Sequence, residues 1–194
     1  MSVETTVFKA IGTRPLILHN GHLANPRDKY SKMIKEVTGK KHKTEADLEE
    51  IARLNWFGGM YAAGSPPVPV VLGEGMEAAI RSAAKISKRG KDVQQGLACP
   101  ESHYQIEYVG TKDLDEMWKS GEFASEAMVK VGQSKVERTR PMFNEWSIPF
   151  DVEYETEILS RDDVIHFVTL LGNRVGIFDW RPRYGKFFTE ILRG

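Results

Sequence analysis

The sequence predicts an α+β protein with a ferredoxin-like antiparallel sheet, two helices and a helical insertion. Three patterns support this prediction. Bulky apolar residues alternate with polar ones from Trp146 to Tyr154, as in a strand with one buried face. A capping box at Ser160–Asp163 then opens an apolar helix. A third segment, beginning at Gly73, has the apolar spacing of a helix that buries one side.

Taken in order, the elements predict the succession β-α-β-β-α-β, which is the ferredoxin-like order. The predicted strands cover residues 5–19, 126–136, 145–155 and 184–191, and the predicted helices cover residues 74–88 and 160–172. Gly172 is expected to end the second helix. Pro149 has no amide hydrogen, so we expect it on a sheet edge or at an irregularity. Both helices should cover one face, which leaves the other for inserted segments, a partner or a ligand.

The segment 27–63 has a different character and is predicted to be a helical insertion in a single domain spanning residues 1–194. Apolar residues at spacings of three and four predict a helix from Arg27 to Val37. A second capping box at Thr44–Asp47 predicts another helix that runs towards Trp56.

Composition limits the classes of function. The 27 basic residues balance the 27 acidic ones, so a nucleic-acid surface must come from charge that is segregated within the fold. Cys99 stands alone, which excludes an intrachain disulfide and a zinc site built on several cysteines. We find neither a signal peptide nor an apolar run of about 20 residues. These features predict a cytoplasmic protein with no membrane partner.

The closing part of the chain combines cationic and aromatic residues between proline and glycine breaks. Guanidinium groups bind phosphate oxygens and stack on bases, and flat rings stack on single-stranded bases. The predicted nucleic-acid-binding residues are Arg138, Arg140, Trp180, Arg181, Arg183, Tyr184, Lys186, His19 and Asn20. In the alternative, the two rings plug the end of the core and the arginines pair with Asp179, Glu137 and Glu145.

Three stretches carry a resemblance to a known family: the helix start Gly73–Arg81, the long hairpin with a basic tip, and the segment Gly176–Phe187. Together they resemble the RAMP superfamily, the RNA-binding proteins of CRISPR effector complexes, with the backbone subunits as the nearest type. The glycine-rich loop of that superfamily is reduced here to Arg183-Tyr184-Gly185-Lys186. The closing segment also resembles small bacteriophage or prophage proteins. The resemblance implies binding of RNA or another single strand, and head-to-tail assembly.

Other motifs have weaker functional interpretations. Gly73-Glu74-Gly75 could present amides to a phosphate, but a tight turn is the more frequent use of such a motif. His19 and His22 could bind a metal, although no second pair of ligands stands out. Because the superfamily includes ribonucleases with an early histidine, the resemblance also implies His19 or His22 as a general base.

We therefore expect a non-enzymatic, cofactor-free protein that binds single-stranded RNA or DNA and assembles as a homo-oligomer or within a nucleoprotein complex. Its tail cations and rings should lie exposed on the sheet face that the helices leave bare. Two alternatives remain open. One is a phage-encoded interaction protein that mimics or inhibits a host nucleic-acid-binding defence complex. The other is a metal-independent ribonuclease.

Overall fold

The computed structural model describes residues 2–131 and 134–193 and confirms a mixed α+β fold. Its strands are β1 (Val3–Gly12), β2 (Leu16–Ile17), β3 (Ala62–Ala63), β4 (Val68–Leu72), β5 (Leu97–Ala98), β6 (His103–Gln105), β7 (Ala124–Val131), β8 (Ser134–Phe143), β9 (Ser147–Glu155) and β10 (Phe187–Arg193). Its α-helices are α1 (Lys29–Thr38), α2 (Glu45–Gly59), α3 (Gly73–Ala84), α4 (Gly90–Gly96), α5 (Leu114–Ser120) and α6 (Arg161–Leu170). Short 3₁₀ turns occupy Gly21–Ala24 and Lys85–Ser87, and a π-helical turn occupies Leu171–Val175.

The chain divides into two compact units. The first contains the residues up to Leu16, Ala62–Gly110 and the chain from Phe143 onward. The second contains Ile17–Tyr61 and Thr111–Met142. The helices α1 and α2 lie within the segment 27–63, and the capping box at Thr44 and Asp47 has both of its hydrogen bonds. The second unit therefore combines these helices with the β7–β8 hairpin and α5.

The sheet of the first unit is antiparallel, with the strand order β10-β1-β9-β5. Along β9, every second residue is buried, which confirms the period of two read from the sequence. Helices α3 and α6 pack against each other, and the π-helical turn after α6 contacts β10. The apolar side of β9 lies in the same core as the buried residues of these helices, listed as Met76, Ala79, Ile80, Ala83, Val164, Phe167 and Val168.

Pro149 sits in β9 without breaking a ladder. The backbone of Ser147, two residues earlier, exchanges both of its hydrogen bonds with Glu107, on the side away from β1. Because backbone groups alternate sides along a strand, the Pro149 nitrogen also faces away from β1. At that position no described strand pairs with the outer side of β9. Its missing amide hydrogen therefore costs the sheet nothing.

Two of the predicted core strands are wrong. The segment 5–19 is not one strand of the core sheet, because β1 ends at Gly12 and β2 pairs in a different sheet. The segment 126–136 does not join the core either, since β7 turns directly into β8 and pairs with it along its whole length. Alternating apolar residues identify a strand but not its partner, and sequence-adjacent strands often pair. The two-residue strand β5 takes the place beside β9.

The second long helix continues past its predicted end. The capping box of Ser160 and Asp163 is present as expected, but Gly172 lies inside the π-helical turn, which ends at Gly176 with a φ of 75°. Gly172 is required for another reason. A Cβ there would overlap the Phe187 carbonyl oxygen and ring, so its absence lets the turn pack directly on β10.

Arg89 connects the start of α6 to the preceding segment. Its guanidinium donates hydrogen bonds to the carboxylates of Asp92 and Asp163 and to the Ile158 carbonyl, and it lies 5.8 Å from the centroid of the Phe167 ring. Burial alone would raise the pKa of Asp163, but hydrogen bonds from Arg89 and Ser160 outweigh it and lower the pKa. A depressed carboxyl pKa stabilises the fold at neutral pH, and this stabilisation is lost as pH falls through the folded-state value.

We expect Gly172→Ala to lower the free energy of unfolding by about 1–3 kcal/mol, because the added methyl group meets backbone atoms that cannot rotate away. Urea denaturation followed by circular dichroism measures this change. Gly21→Ala is the matched control, since a Cβ at Gly21 has no heavy atom within 4 Å. Equal stability losses in the two variants would contradict the packing assigned to Gly172.

We expect Asp163→Asn to destabilise the protein by about 1 kcal/mol at neutral pH, through loss of the charged cap and of the Arg89 ion pair. The difference from the wild type should shrink in acid, below the folded-state pKa of Asp163, where the wild-type carboxyl is protonated too. Urea denaturation across this pH range measures it. Asp162→Asn is the control, since Asp162 is exposed and has no ion pair with a described residue. A pH-independent difference would remove the ion pair from the explanation.

Candidate nucleic-acid interface

Residues 177–185, which we call the tail loop, form a closed loop between the π-helical turn and β10. The Ile177 amide donates to the Gly185 carbonyl across 2.9 Å, which closes the neck. The Gly185 amide donates to the Pro15 carbonyl across 2.8 Å and ties the neck to the end of β1. Gly185 has a φ of 68°, and a Cβ there would overlap the Ile177 carbonyl oxygen. The neck therefore requires glycine.

The tail loop carries a stack of two rings and two exposed cations. The Trp180 and Tyr184 rings lie 5.8 Å apart between centroids at an interplanar angle of 30°, and both residues are half-buried. The Arg183 guanidinium lies 5.8 Å from the centroid of the Tyr184 ring. Arg181 and Arg183 are exposed, and neither forms an ion pair with any residue that the structure describes. Cations and rings thus share one short segment.

Two residues of the tail loop hold backbone conformations that side chains disfavour. Phe178 has a φ of 59° and Trp180 a φ of 56°, both in the left-handed region where bulky residues are outliers. The Trp180 carbonyl accepts hydrogen bonds from the amides of Arg183 and Tyr184, and the Phe178 ring packs beside Gly75 at the start of α3. Surrounding contacts therefore fix this strained conformation, a combination that clusters at functional sites.

Arg14 lies beside the tail loop and was missed by the sequence reasoning. Its amide and that of Thr13 both donate to the Lys186 carbonyl, at 3.2 and 2.8 Å, and the Arg14 carbonyl accepts from the indole nitrogen of Trp146 at 2.9 Å. Arg14 is exposed, and Lys186 is half-buried. A cation before Pro15, distant from the tail in sequence, gives no local signal. The pairing of Gly12 with Phe187 is what brings the two segments together.

The tail loop begins and ends at one end of the sheet, so the expectation that it covers the bare face is wrong. On that face Lys9 pairs with Glu107 at 2.7 Å, and Glu107 also accepts a hydrogen bond from the Ser147 hydroxyl at 2.7 Å. An open cleft of about 580 Å³ lies there, lined by Ile11, Gly12, Glu107, Tyr108, Val109, Glu145, Trp146 and Ser147. Its two carboxylates would repel phosphate groups.

Arg138 and Arg140 lie in the second unit, on β8. One guanidinium nitrogen of Arg138 donates to the Asn55 side-chain oxygen across 2.9 Å, and both arginines are half-buried. Arg140 stands opposite Ser125 of β7. Arg138 thus has a hydrogen-bonding role in its own unit, whereas the arginines of the tail loop are exposed.

His19, Asn20 and His22 also lie in the second unit. The Asn20 side chain accepts from the His22 amide and donates to the Met60 carbonyl, so it caps the Gly21–Ala24 turn. The His22 ring nitrogen Nε2 lies 2.8 Å from the Gly58 carbonyl oxygen. Since a carbonyl only accepts, this nitrogen carries the proton. His19 is exposed, and its carbonyl accepts from the Tyr61 hydroxyl. The first two side chains therefore hold local structure.

The remaining motifs favour structural roles. The Gly73 amide donates to the Ser102 carbonyl at 3.0 Å, and a Cβ at Gly73 would overlap the Glu101 carbonyl oxygen, so the start of α3 is already covered by protein. Burial raises the pKa of the Cys99 thiol far above its usual range. Within the described part of the chain, no three His, Cys, Asp or Glu side chains are grouped to hold a metal ion.

Comparison with known proteins adds no family. No protein-family model matches this chain, and no curated protein matches it in sequence. None of the helices in residues 2–131 and 134–193 combines the length and the apolar character needed to cross a membrane.

We expect Gly185→Ala to open the tail loop, because the added methyl group displaces the Ile177 carbonyl that closes its neck. Trypsin should then cleave after Arg183 several-fold faster than in the wild type, as measured by mass spectrometry over time. Gly121→Ala is the matched control, since Gly121 also has a positive φ of 73° but has open space around it. Unchanged cleavage after Arg183 would contradict the role given to Gly185.

Proposed function

We propose that this protein binds single-stranded nucleic acid, RNA or DNA, through the tail loop. The observation that carries the proposal is the combination of exposed Arg181 and Arg183 with the stacked Trp180–Tyr184 pair on one anchored loop. Guanidinium groups contact phosphates in pairs of hydrogen bonds, and a base can extend an existing stack of rings. Arg14 and Lys186 add positive charge beside the neck.

A single strand fits this surface better than a duplex. Rings on a short loop stack on bases that are already unstacked, whereas the bases of a duplex are enclosed by their neighbours. The tail loop is also too short to lie along a groove and read base edges, so we expect little sequence preference. Its strained but hydrogen-bonded backbone supports a preformed surface, which reduces the entropy lost on binding.

We further propose a ferredoxin-like core related to the RAMP superfamily. The strand order β10-β1-β9-β5 supports this, because it corresponds to the order 4-1-3-2 once β5 is taken as the second strand. Helices α3 and α4 then join the first strand to the second, and α6 joins the third to the fourth. Under this proposal the strand is bound at the end of the sheet, since the bare face carries the carboxylates of Glu107 and Glu145.

Binding without catalysis is the form of the proposal that the site favours, in a cytoplasmic protein that assembles along the strand. The ribonuclease alternative needs His19 or His22 as a general base. The protonated Nε2 of His22 is directed at the Gly58 carbonyl, which leaves Nδ1 as its one basic position.

We expect Trp180→Ala to weaken binding of a fluorescently labelled single-stranded RNA by about 5- to 150-fold, the range that corresponds to loss of one stacked base. Fluorescence anisotropy titration with the RNA and with a DNA of the same sequence measures this. Phe188→Ala is the control, because Phe188 is an exposed ring on β10 outside the tail loop. Wild-type affinity in the Trp180 variant would exclude stacking on the tail loop.

We expect the double variant Arg181→Ala/Arg183→Ala to bind more weakly and to reduce the slope of log K against log salt by roughly 1.4, about 0.7 for each phosphate contact to a single strand. The same anisotropy titration, repeated over a series of salt concentrations, gives the slope. Arg161→Ala is the control, an exposed arginine at the start of α6. Salt-insensitive wild-type binding, or no binding to either strand, would overturn the proposed function.

A further inference from the structure

The strand β10 forms an edge of the core sheet, and part of its backbone has no partner among the described residues. The Lys186 carbonyl accepts hydrogen bonds from Thr13 and Arg14, so it points towards the β1 side. Because backbone groups alternate along a strand, those of Phe188 and Glu190 also point towards β1, and those of Thr189 and Ile191 point outward. Phe187 points outward as well, but the π-helical turn covers it. The free outer edge therefore begins at Thr189.

The opposite edge of the same sheet is protected at each outward position. Ser147 exchanges backbone hydrogen bonds with Glu107, and Pro149 has no amide hydrogen to offer. The Asp151 carbonyl accepts from the Tyr104 hydroxyl, and β5 pairs beside Glu153. Proline, short covering strands and side-chain bonds are the means by which proteins block edge pairing. β10 has neither proline nor lysine between Phe187 and Arg193.

Apolar side chains accompany this open edge. Phe188 is 48% exposed, Ile191 44% and Leu192 53%. The register of β10 against β1 shifts between Phe8 and Val7, so that Arg193 stands opposite Val7 and Glu190 opposite Lys9. Since Val7 and Lys9 share one face of β1, Glu190 and Arg193 share the same face of β10. The edge thus presents unpaired backbone, apolar surface and two opposite charges.

We propose that β10 pairs antiparallel with β10 of a second copy of this chain, which joins two four-stranded sheets into one continuous sheet. Charge complementarity selects a second copy as the occupant. A two-fold axis between Ile191 and Leu192 places Glu190 of each copy opposite Arg193 of the other, and it sets Ile191 opposite Leu192. The outward amide and carbonyl of Ile191 then supply the central backbone hydrogen bonds. The inference does not rest on nucleic-acid binding, because the tail loop takes no part in the contact.

The test measures the oligomeric state of nuclease-treated protein by sedimentation equilibrium over a range of concentrations. We expect a monomer–dimer equilibrium for the wild type. Ile191→Pro should shift it to monomer, because proline removes the outward amide hydrogen and leaves the ladder with β1 intact. Glu190→Arg and Arg193→Glu should each weaken dimerisation by about tenfold or more, because each places like charges opposite one another twice. Glu49→Arg, an exposed charge reversal on α2, should have no effect.

Mixing the two single charge variants is the decisive measurement. One copy then carries two positive charges at the edge and the other two negative ones, so a heterodimer should form with affinity near that of the wild type. Circular dichroism and thermal melting of each variant establish that it is folded. A wild-type protein that stays monomeric at every concentration would overturn the proposal. So would a dimer that persists in folded Ile191→Pro, or mixed charge variants that fail to associate.

Discussion

The pairing of β1 with both of its neighbours is the constraint on which the rest of the first unit depends. Its hydrogen bonds to β9 bury the alternating apolar face of that strand, and its pairing with β10 extends to Gly12 and Phe187. Immediately beyond this last pair, Thr13 and Arg14 bond to Lys186, and Pro15 bonds to Gly185. The sheet therefore does two things. It forms the core, and its end holds both the neck of the tail loop and an additional cation.

A net charge of zero is compatible with a nucleic-acid surface because the fold separates the charges. The carboxylates of Glu107 and Glu145 line the cleft on the bare side of the sheet, whereas Arg14, Arg181 and Arg183 are exposed at its end. At physiological ionic strength a charge acts over about 8 Å, so local segregation decides what binds and the total decides little. Any attraction of a polyanion to this chain must then be short-ranged and confined to the tail loop.

Much of the local structure could be predicted from the sequence, because it depends on near neighbours. The alternation of β9, both capping boxes and the helical segments follow from periodicity and from residues three positions apart. The candidate tail residues were likewise named from one short segment. Strand partners could not be predicted. Leu97 and Ala98 are too few to show a period, and Arg14 belongs to the site through a pairing that joins the two ends of the chain.

The backbone of the tail loop connects stability with the proposed binding. Phe178 and Trp180 each hold a left-handed conformation that costs of order 1–3 kcal/mol. A free loop of this composition would relax, and the Trp180–Tyr184 stack would then be one conformer among many. The closed neck, the packing of Phe178 beside Gly75 and the bonds to the Trp180 carbonyl prevent this. Strain that is already met by folding is not charged again to a ligand, so a short loop with few contacts can still bind a flexible strand.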